Sequence, residues 1–338
     1  NNPNDGDFPF WTDYKMYLQK DKKYPATVIN EIDNSTDAIL DGMANPNESV
    51  DFEKKGMVIG YVQSGKTGNY VGLINKAIDV GYRFIVVLAG LHNNLRQQTQ
   101  FRIDEGVSGF QRIDDQVKTV GTGNLPHQLT PREARPQTLT TAASDGDFNL
   151  RAAYMNSINF DADIPLIAVV KKNASVLRNL NQWLDGQLKI NNEAVSSKSV
   201  LIIDDECDQA SVNTKFSIED LTEPIPDENG NIDRTNTPSM INKLIKELLN
   251  KFSRRVYVGY TATPYANVFI PIDNEHYQDV FPEDFIVRLD QPSNYLGPEK
   301  YFTSEDEEYD LPGILLLDEN EEFAKHLRKY YRGEITDL

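Results

Sequence analysis

The sequence predicts an α/β fold: a mostly parallel sheet held between helices and preceded by a helical N-terminal segment. Three observations predict it. Short apolar runs alternate with longer runs of helical character from about residue 51 to 275. The short runs are apolar at consecutive positions, the pattern of parallel strands buried on both faces. A glycine-rich turn joins the first of these strands to the helix that follows it.

Residues 1–50 read as a helical segment. The aromatic stretch PFWTDYKMYLQ precedes PATVINEIDNSTDAILDGM, where Val28, Ile32, Ile39 and Met43 fall near helical spacing. GMVIGY is an apolar strand that ends at the glycine-rich turn, and YVGLINKAIDVG is a helix stopped by Gly81. RFIVVLAG is a second buried strand, and LHNNLRQQTQFRID a polar helix. VKTVG, PLIAVV, SVLIIDD and RRVYVGYTATP supply further strands of the same series. The stretch from about 105 to 165 is loop-rich and longer than a plain crossover needs, as functional or mobile loops often are. After Pro264 the pattern is irregular, through FPEDFIVRLDQPSNYLGPEKYF, and 276–338 reads as an irregular extension.

A chain of 338 residues, 39% hydrophobic and 25% charged, has an ordinary globular composition with room for a substantial core. No apolar run reaches the roughly 18 residues of a membrane span, and no signal peptide opens the chain. The single cysteine, Cys207, cannot form an internal disulfide, which fits a reducing, cytoplasmic setting. The first residue, Asn1, suggests a piece of a longer protein. Lys and Arg total 34 against 52 Asp and Glu, so the net charge is −18. A nucleic-acid binder usually shows a basic footprint, so tight, autonomous DNA binding is not expected. His92, His127, His276 and His326 are scattered, which gives no support to a zinc site.

Three motifs carry chemistry. GYVQSGKT, residues 60–67, fits GxxxxGK(S/T), and it follows a strand and opens a helix as a phosphate cradle requires. The backbone N–H groups of Gln63, Ser64, Gly65, Lys66 and Thr67 would converge on a phosphate. The Lys66 ammonium would reach the β and γ phosphates, and the Thr67 hydroxyl would ligate Mg²⁺. SVLIIDDECDQAS is an apolar strand ending in acids: Asp205 suits Mg²⁺, Glu206 a base for water, and Asp204 a neighbouring lysine or hydroxyl. In VGYTATPYANV a strand ends in hydroxyls, Thr261 and Thr263, which suit sensing the γ-phosphate or bonding the acidic motif.

Cradle, DECD and TATP, in that order, resemble the first motor lobe of superfamily 2 helicases. GMVIGYVQSGKTGNYVGLINKAIDVGYRFIVVLAGLHNNLRQQTQFRIDEG, TLTTAASDGDFN, VVKKNASVLRNLNQWL, LIIDDECDQASVNT, YVGYTATPYANVF and FPEDFIVRL together look like the Z-one domain family, which carries an endonuclease label. The resemblance implies a RecA-like P-loop ATPase lobe at 51–275 that uses ATP and Mg²⁺. It implies a DNA translocase or remodelling enzyme of restriction or phage defence, with nuclease, methyltransferase or other defence-operon proteins as partners. Asn93, Asn94, Arg96, Gln97 and Gln100 take the place where such lobes contact a strand, and Lys171, Lys172 and Asn173 could do likewise. The arginine finger of such motors lies on a second lobe, so turnover by this chain alone is expected to be slow. Two other readings stay open: a metal-dependent endonuclease with its site in this chain, and a nucleotide-gated scaffold that does not hydrolyse.

Overall fold

The structure is a computed structural model and describes residues 8–61, 65–113, 116–155, 158, 160, 162–209, 211, 238–264, 280 and 282–290. The chain divides into two compact units, Asn1–Pro292 and Ser293–Leu338, and every described residue belongs to the first.

Two helices, α1 (Pro9–Lys20) and α2 (Ala26–Gly42), precede the strand β1 (Phe52–Ile59) and the helix α3 (Lys66–Val80). There follow β2 (Phe84–Ala89), α4 (Asn93–Ile103), the strands β3 (Phe110–Ile113), β4 (Gln116–Thr119) and β5 (Gln137–Thr138), and α5 (Leu150–Met155). The described part closes with β6 (Leu166–Val170), α6 (Ala174–Ile190), β7 (Ser196–Asp205), α7 (Pro238–Leu249), β8 (Phe252–Thr261) and β9 (Phe285–Arg288). Seven strands form one sheet in the order β5-β6-β2-β7-β8-β1-β9, and every pairing in it is parallel.

β2 and β6, and the buried middle of β7, are apolar at consecutive positions because both faces are covered. Along β2, Ile85, Val87 and Ala89 join a core with α1, α2 and α3, while Phe84, Val86 and Leu88 join a second core with α5, α6 and α7. Each of these side chains but the smaller Ala89, fully buried, contributes about 1.5–3 kcal/mol. The second core is aromatic: Phe84 stacks on Phe252 at 5.5 Å, and Phe160 meets the Trp183 ring edge-on at 5.8 Å. Local signals set the helix ends. Gly81, at φ 114°, closes α3 by donating to the carbonyls of Ala77 and Ile78. The Asn173 side chain caps α6 by accepting from the amides of Ser175 and Val176.

Several expectations need correction. The N-terminal helices are not a segment apart: Trp11, Tyr14, Ile32 and Ile39 share the core of α3. The Asp79 carboxylate of α3 accepts from the amides of Phe10 and Trp11, and the buried Lys76 reaches Asp33 and Asp37 while lying over the Trp11 ring. VKTVG does not enter the sheet; its residues form the exposed strand β4, paired antiparallel with β3 in a separate hairpin. The sheet also runs past residue 275, because FIVR forms β9 and pairs along β1. Gly56 makes room for this edge strand: a Cβ there would lie within 2.0 Å of the Phe285 ring. Of the 276–338 extension, only residues 280 and 282–290 fall among the described residues.

Candidate functional site: the carboxyl edge of the sheet

Every motif singled out in the sequence arrives at the carboxyl ends of parallel strands, the edge where open α/β sheets bind ligands. β1 leads through Gly60 to Gly65 and the first turn of α3. Gln63 and Ser64 lie outside the described residues. Gly65 sits in the left-handed region at φ 80°, and a Cβ placed on it would meet nothing within 4 Å, so the turn faces open space. Lys66 is half-buried and rests its ammonium on the Tyr61 carbonyl at 3.0 Å. The Tyr14 hydroxyl of α1 donates to the Gly68 carbonyl at 3.2 Å, tying the N-terminal helix to this first turn.

β8 separates the cradle strand β1 from the acid strand β7. Neighbouring strands lie about 4.8 Å apart, so the two strand ends stand roughly 10 Å from one another. Asp205 and Glu206 line a cleft of about 290 Å³ together with Gly65, Thr67, Gly68 and Gly90. Burial pushes the Asp205 carboxyl up to about 6; the nearby Lys172 and Lys66 ammonium groups pull against this, and Glu206 adds to it. The Tyr70 hydroxyl donates to Asp205 at 3.3 Å and is itself pushed above its ordinary range by burial. Glu206 occupies the left-handed region at φ 55°, an uncommon conformation for a residue with a side chain.

Asp204 points the other way. Its side chain is fully buried and pairs with the Lys172 ammonium at 2.6 Å, while the Tyr257 hydroxyl donates to its second oxygen at 2.6 Å. This is the lysine-or-hydroxyl role expected of it, filled by both at once. Thr261 and Thr263 turn to the acidic motif: each hydroxyl donates to Asp208, at 2.7 Å. The fourth letter of DECD therefore clasps the end of β8. That role was legible only as a motif letter, because its partners are 53 and 55 residues away.

The helix α4 does not present the strand-contacting face expected of it. Arg96 is buried, and its guanidinium donates to the carbonyls of Thr141, Ala143 and Gly146. Gln100 is buried between Asp104, to which it donates, and Thr140, from which it accepts. Asn93 donates to the Ser144 carbonyl and Gln97 to that of Ala142. The amide and guanidinium groups thus hold the 141–146 loop, whose backbone needs donors that helix and sheet do not supply. Lys172 is corrected in the same way: its ammonium donates to the carbonyls of Glu206 and Gln209 as well as pairing with Asp204. Asn173 is spent on its capping bonds. Asn94 remains exposed and Lys171 half-buried.

Other cleft residues had no signal in the motifs. Tyr14 and Tyr17 from α1, Lys22 just after it, and Gln98, Thr99 and Arg102 from α4 line it together with the acids. They are ordinary polar and aromatic letters at helical spacing until two helices are packed side by side. Among the described residues no group of three or more His, Cys, Asp or Glu side chains is placed to hold a metal ion. The donor set does fit the Mg²⁺ of a nucleotide, which takes one or two carboxylates and completes its shell with phosphate oxygens and water. No helix among the described residues is long and apolar enough to cross a membrane. Comparison with protein-family models and with curated proteins finds no match.

Proposed function

We propose that this chain binds a Mg²⁺–nucleoside triphosphate, ATP by the resemblance, at Gly65–Thr67 and hydrolyses it. On this reading it is a RecA-like lobe of a helicase-like DNA motor of the Z-one kind. The observation that carries the reading is convergence: a cradle turn, an acid-bearing turn and a hydroxyl pair, far apart in sequence, meet at one sheet edge, and the first two share a cleft. The gap left by β8 suits a phosphoryl group and an attacking water between cradle and acids.

The roles follow from the chemistry of each group. The amides at the start of α3 bind phosphate oxygens, helped by the positive end of the helix. Lys66 has a flexible stem and, among the described residues, one acceptor to leave, the Tyr61 carbonyl, so its ammonium can move onto the β and γ phosphates. The Thr67 hydroxyl and the Asp205 carboxylate would hold Mg²⁺, which neutralises phosphate charge when bound. Tyr70 donates to Asp205 from below and orients it. Glu206, half-buried on its turn, accepts the proton of the attacking water. Asp208, holding both threonines, links the acid turn to the end of β8 and gives the site a mechanical connection to the strand. Coupling to DNA rests on the helicase-like order of motifs. Of the expected contact set, Asn94 is exposed and Asn93, Gln97, Lys171 and Asn173 are half-buried, while Arg96, Gln100 and Lys172 are buried.

ATP titration and turnover on two variants test this. Lys66→Ala removes charge-assisted bonds and weakens Mg²⁺–ATP about 10-fold or more. Glu206→Gln keeps affinity within about threefold of the parent and lowers turnover about 10²–10⁴-fold, the usual weight of a general base. Parental binding and turnover by both variants would overturn the assignment. ATP binding without turnover in the parent would make the chain a nucleotide-gated scaffold.

A further inference from the structure

The buried Lys172 has no part in the chemistry above, yet its ammonium is engaged at the acid turn by one ion pair and two hydrogen bonds. One side of the ammonium meets Asp204 at 2.6 Å, and the others donate to the carbonyls of Glu206 at 2.6 Å and Gln209 at 3.1 Å. Lys172 follows β6, and β2 lies between β6 and β7, so the side chain reaches its partners across the end of an intervening strand. That end is cut back at Gly90. Its carbonyl accepts the Lys172 amide at 2.8 Å, its φ is 64°, and a Cβ on it would stand 3.0 Å from Leu95 and 3.8 Å from the Glu206 carboxylate. The far oxygen of Asp204 is held by Tyr257 of β8. A line of contacts therefore runs from β8 by a hydrogen bond to Asp204, by an ion pair to Lys172 and by a hydrogen bond to the backbone of Glu206.

We infer that Lys172 is a positioning residue, which holds the Glu206 turn in its left-handed conformation and so aims the Glu206 carboxylate into the cleft. The inference rests on the nucleotide reading for what Glu206 does, but not for how it is held. The turn needs holding for two physical reasons. A residue with a side chain disfavours φ 55°. Asp204, Asp205, Glu206 and Asp208 also crowd four acids into five positions, whose mutual repulsion favours a more open chain. A buried cation bonded to two carbonyls of the turn and one of its carboxylates opposes both. A merely electrostatic partner of Asp204 would not need the carbonyl bonds.

The test uses the full chain. Lys172→Met alone leaves Asp204 buried without its cation, so the informative variant is Lys172→Met/Asp204→Asn, which neutralises the pair together. Thermal melting establishes that it folds. Native-state amide exchange then reads the turn without any nucleotide: the Gln209 amide donates to the Glu206 carbonyl and the Cys207 amide to that of Tyr260. Exchange at both is expected to rise about 10-fold or more, with the amides of Ile202 and Val258 unchanged. ATP turnover is expected to fall about 100-fold, with affinity within about threefold, because the base is displaced and the cradle is not. Tyr257→Phe, which removes only the hydroxyl on Asp204, is the milder variant and raises exchange at Gln209 about threefold. Parental exchange at Gln209 in the folded double variant, or in Tyr257→Phe should the double variant not fold, overturns the inference and leaves Lys172 a counter-ion. Raised exchange with a parent that does not turn over ATP upholds the clamp and sinks the nucleotide reading instead.

Discussion

Among single residues, Asp104 shows how burial and charge set a pH dependence. It is buried beside α4; one carboxylate oxygen accepts from Gln100 and the other has no hydrogen-bond partner among the described residues. Burial pushes its carboxyl up to about 7, against the Gln100 bond and the pull of Arg96. The folded state therefore binds a proton that the unfolded chain has released by about pH 4–5, and this contribution to stability declines as pH rises from there through about 7. Asp104→Asn mimics the protonated side chain. It is expected to raise the melting temperature at pH 8, change it little at pH 5, and flatten the slope between; a scan of melting temperature against pH reads all three. Arg96 makes a second case. Its truncation to Ala removes the donor to the Thr141 carbonyl and the side-chain donor to those of Ala143 and Gly146, which keep one backbone donor each, and is expected to cost about 2–3 kcal/mol in a denaturant titration. A surface residue contacting DNA would cost far less.

At the scale of elements, the edge of the sheet is set by one aromatic–glycine contact. The Phe285 ring of β9 lies over Gly56 of β1, in space that any Cβ would fill. Gly56→Val improves the intrinsic strand preference of β1 yet is expected to expel Phe285 and detach β9. The amides of Ile286 and Arg288 would then lose protection while those of the central strands β7 and β8 keep theirs. Leu289, whose amide donates to the Ile59 carbonyl beside the cradle, would be released with them. Unchanged protection across β9 would show that the strand holds by its backbone ladder alone.

For the whole molecule, the net charge of −18 and the inward turn of α4 bear on DNA together. Binding releases counterions in proportion to the phosphates neutralised, about −0.9 in the log–log salt slope for each on duplex and about −0.7 on single strands. Arg96 and Lys172 are buried inside the fold, while Lys171, the third cation of the expected contact set, is half-buried. Weak, sequence-indifferent binding with a slope no steeper than about −2 is expected. Lys171→Ala should flatten it further and leave ATP affinity unchanged. A titration of labelled DNA at several salt concentrations measures both. Tight binding with a steep slope would place the DNA path on another surface.

What the sequence determined by itself is whatever is written in neighbouring letters. The apolar runs of β2, β6, β7 and β8 declare strands covered on both faces, because burial on two sides leaves no polar position. Gly65-Lys66-Thr67 and Asp205-Glu206 sit at strand ends, since a turn and a change of polarity mark those ends locally. Gly81 stops α3 for the same local reason. What only the tertiary structure decided are the partnerships between distant letters. A short polar run such as NNLRQQTQ reads alike whether its amides face a ligand or the carbonyls of a loop. Arg96 and Gln100, expected to contact a strand, lie inward because the 141–146 loop supplies carbonyls to Arg96, and Thr140 and Asp104 pair with Gln100, none of which a local pattern announces. Lys172 looked like a surface cation until β6 and β7 were set on either side of β2, within reach of Asp204. FIVR was too short to stand as a strand until β1 offered it a ladder and Gly56 a place for its ring. Helix and strand periods are local properties of a chain, but hydrogen-bond partners and counter-ions are supplied by whatever the fold brings near, and that is decided only when the sheet order is decided.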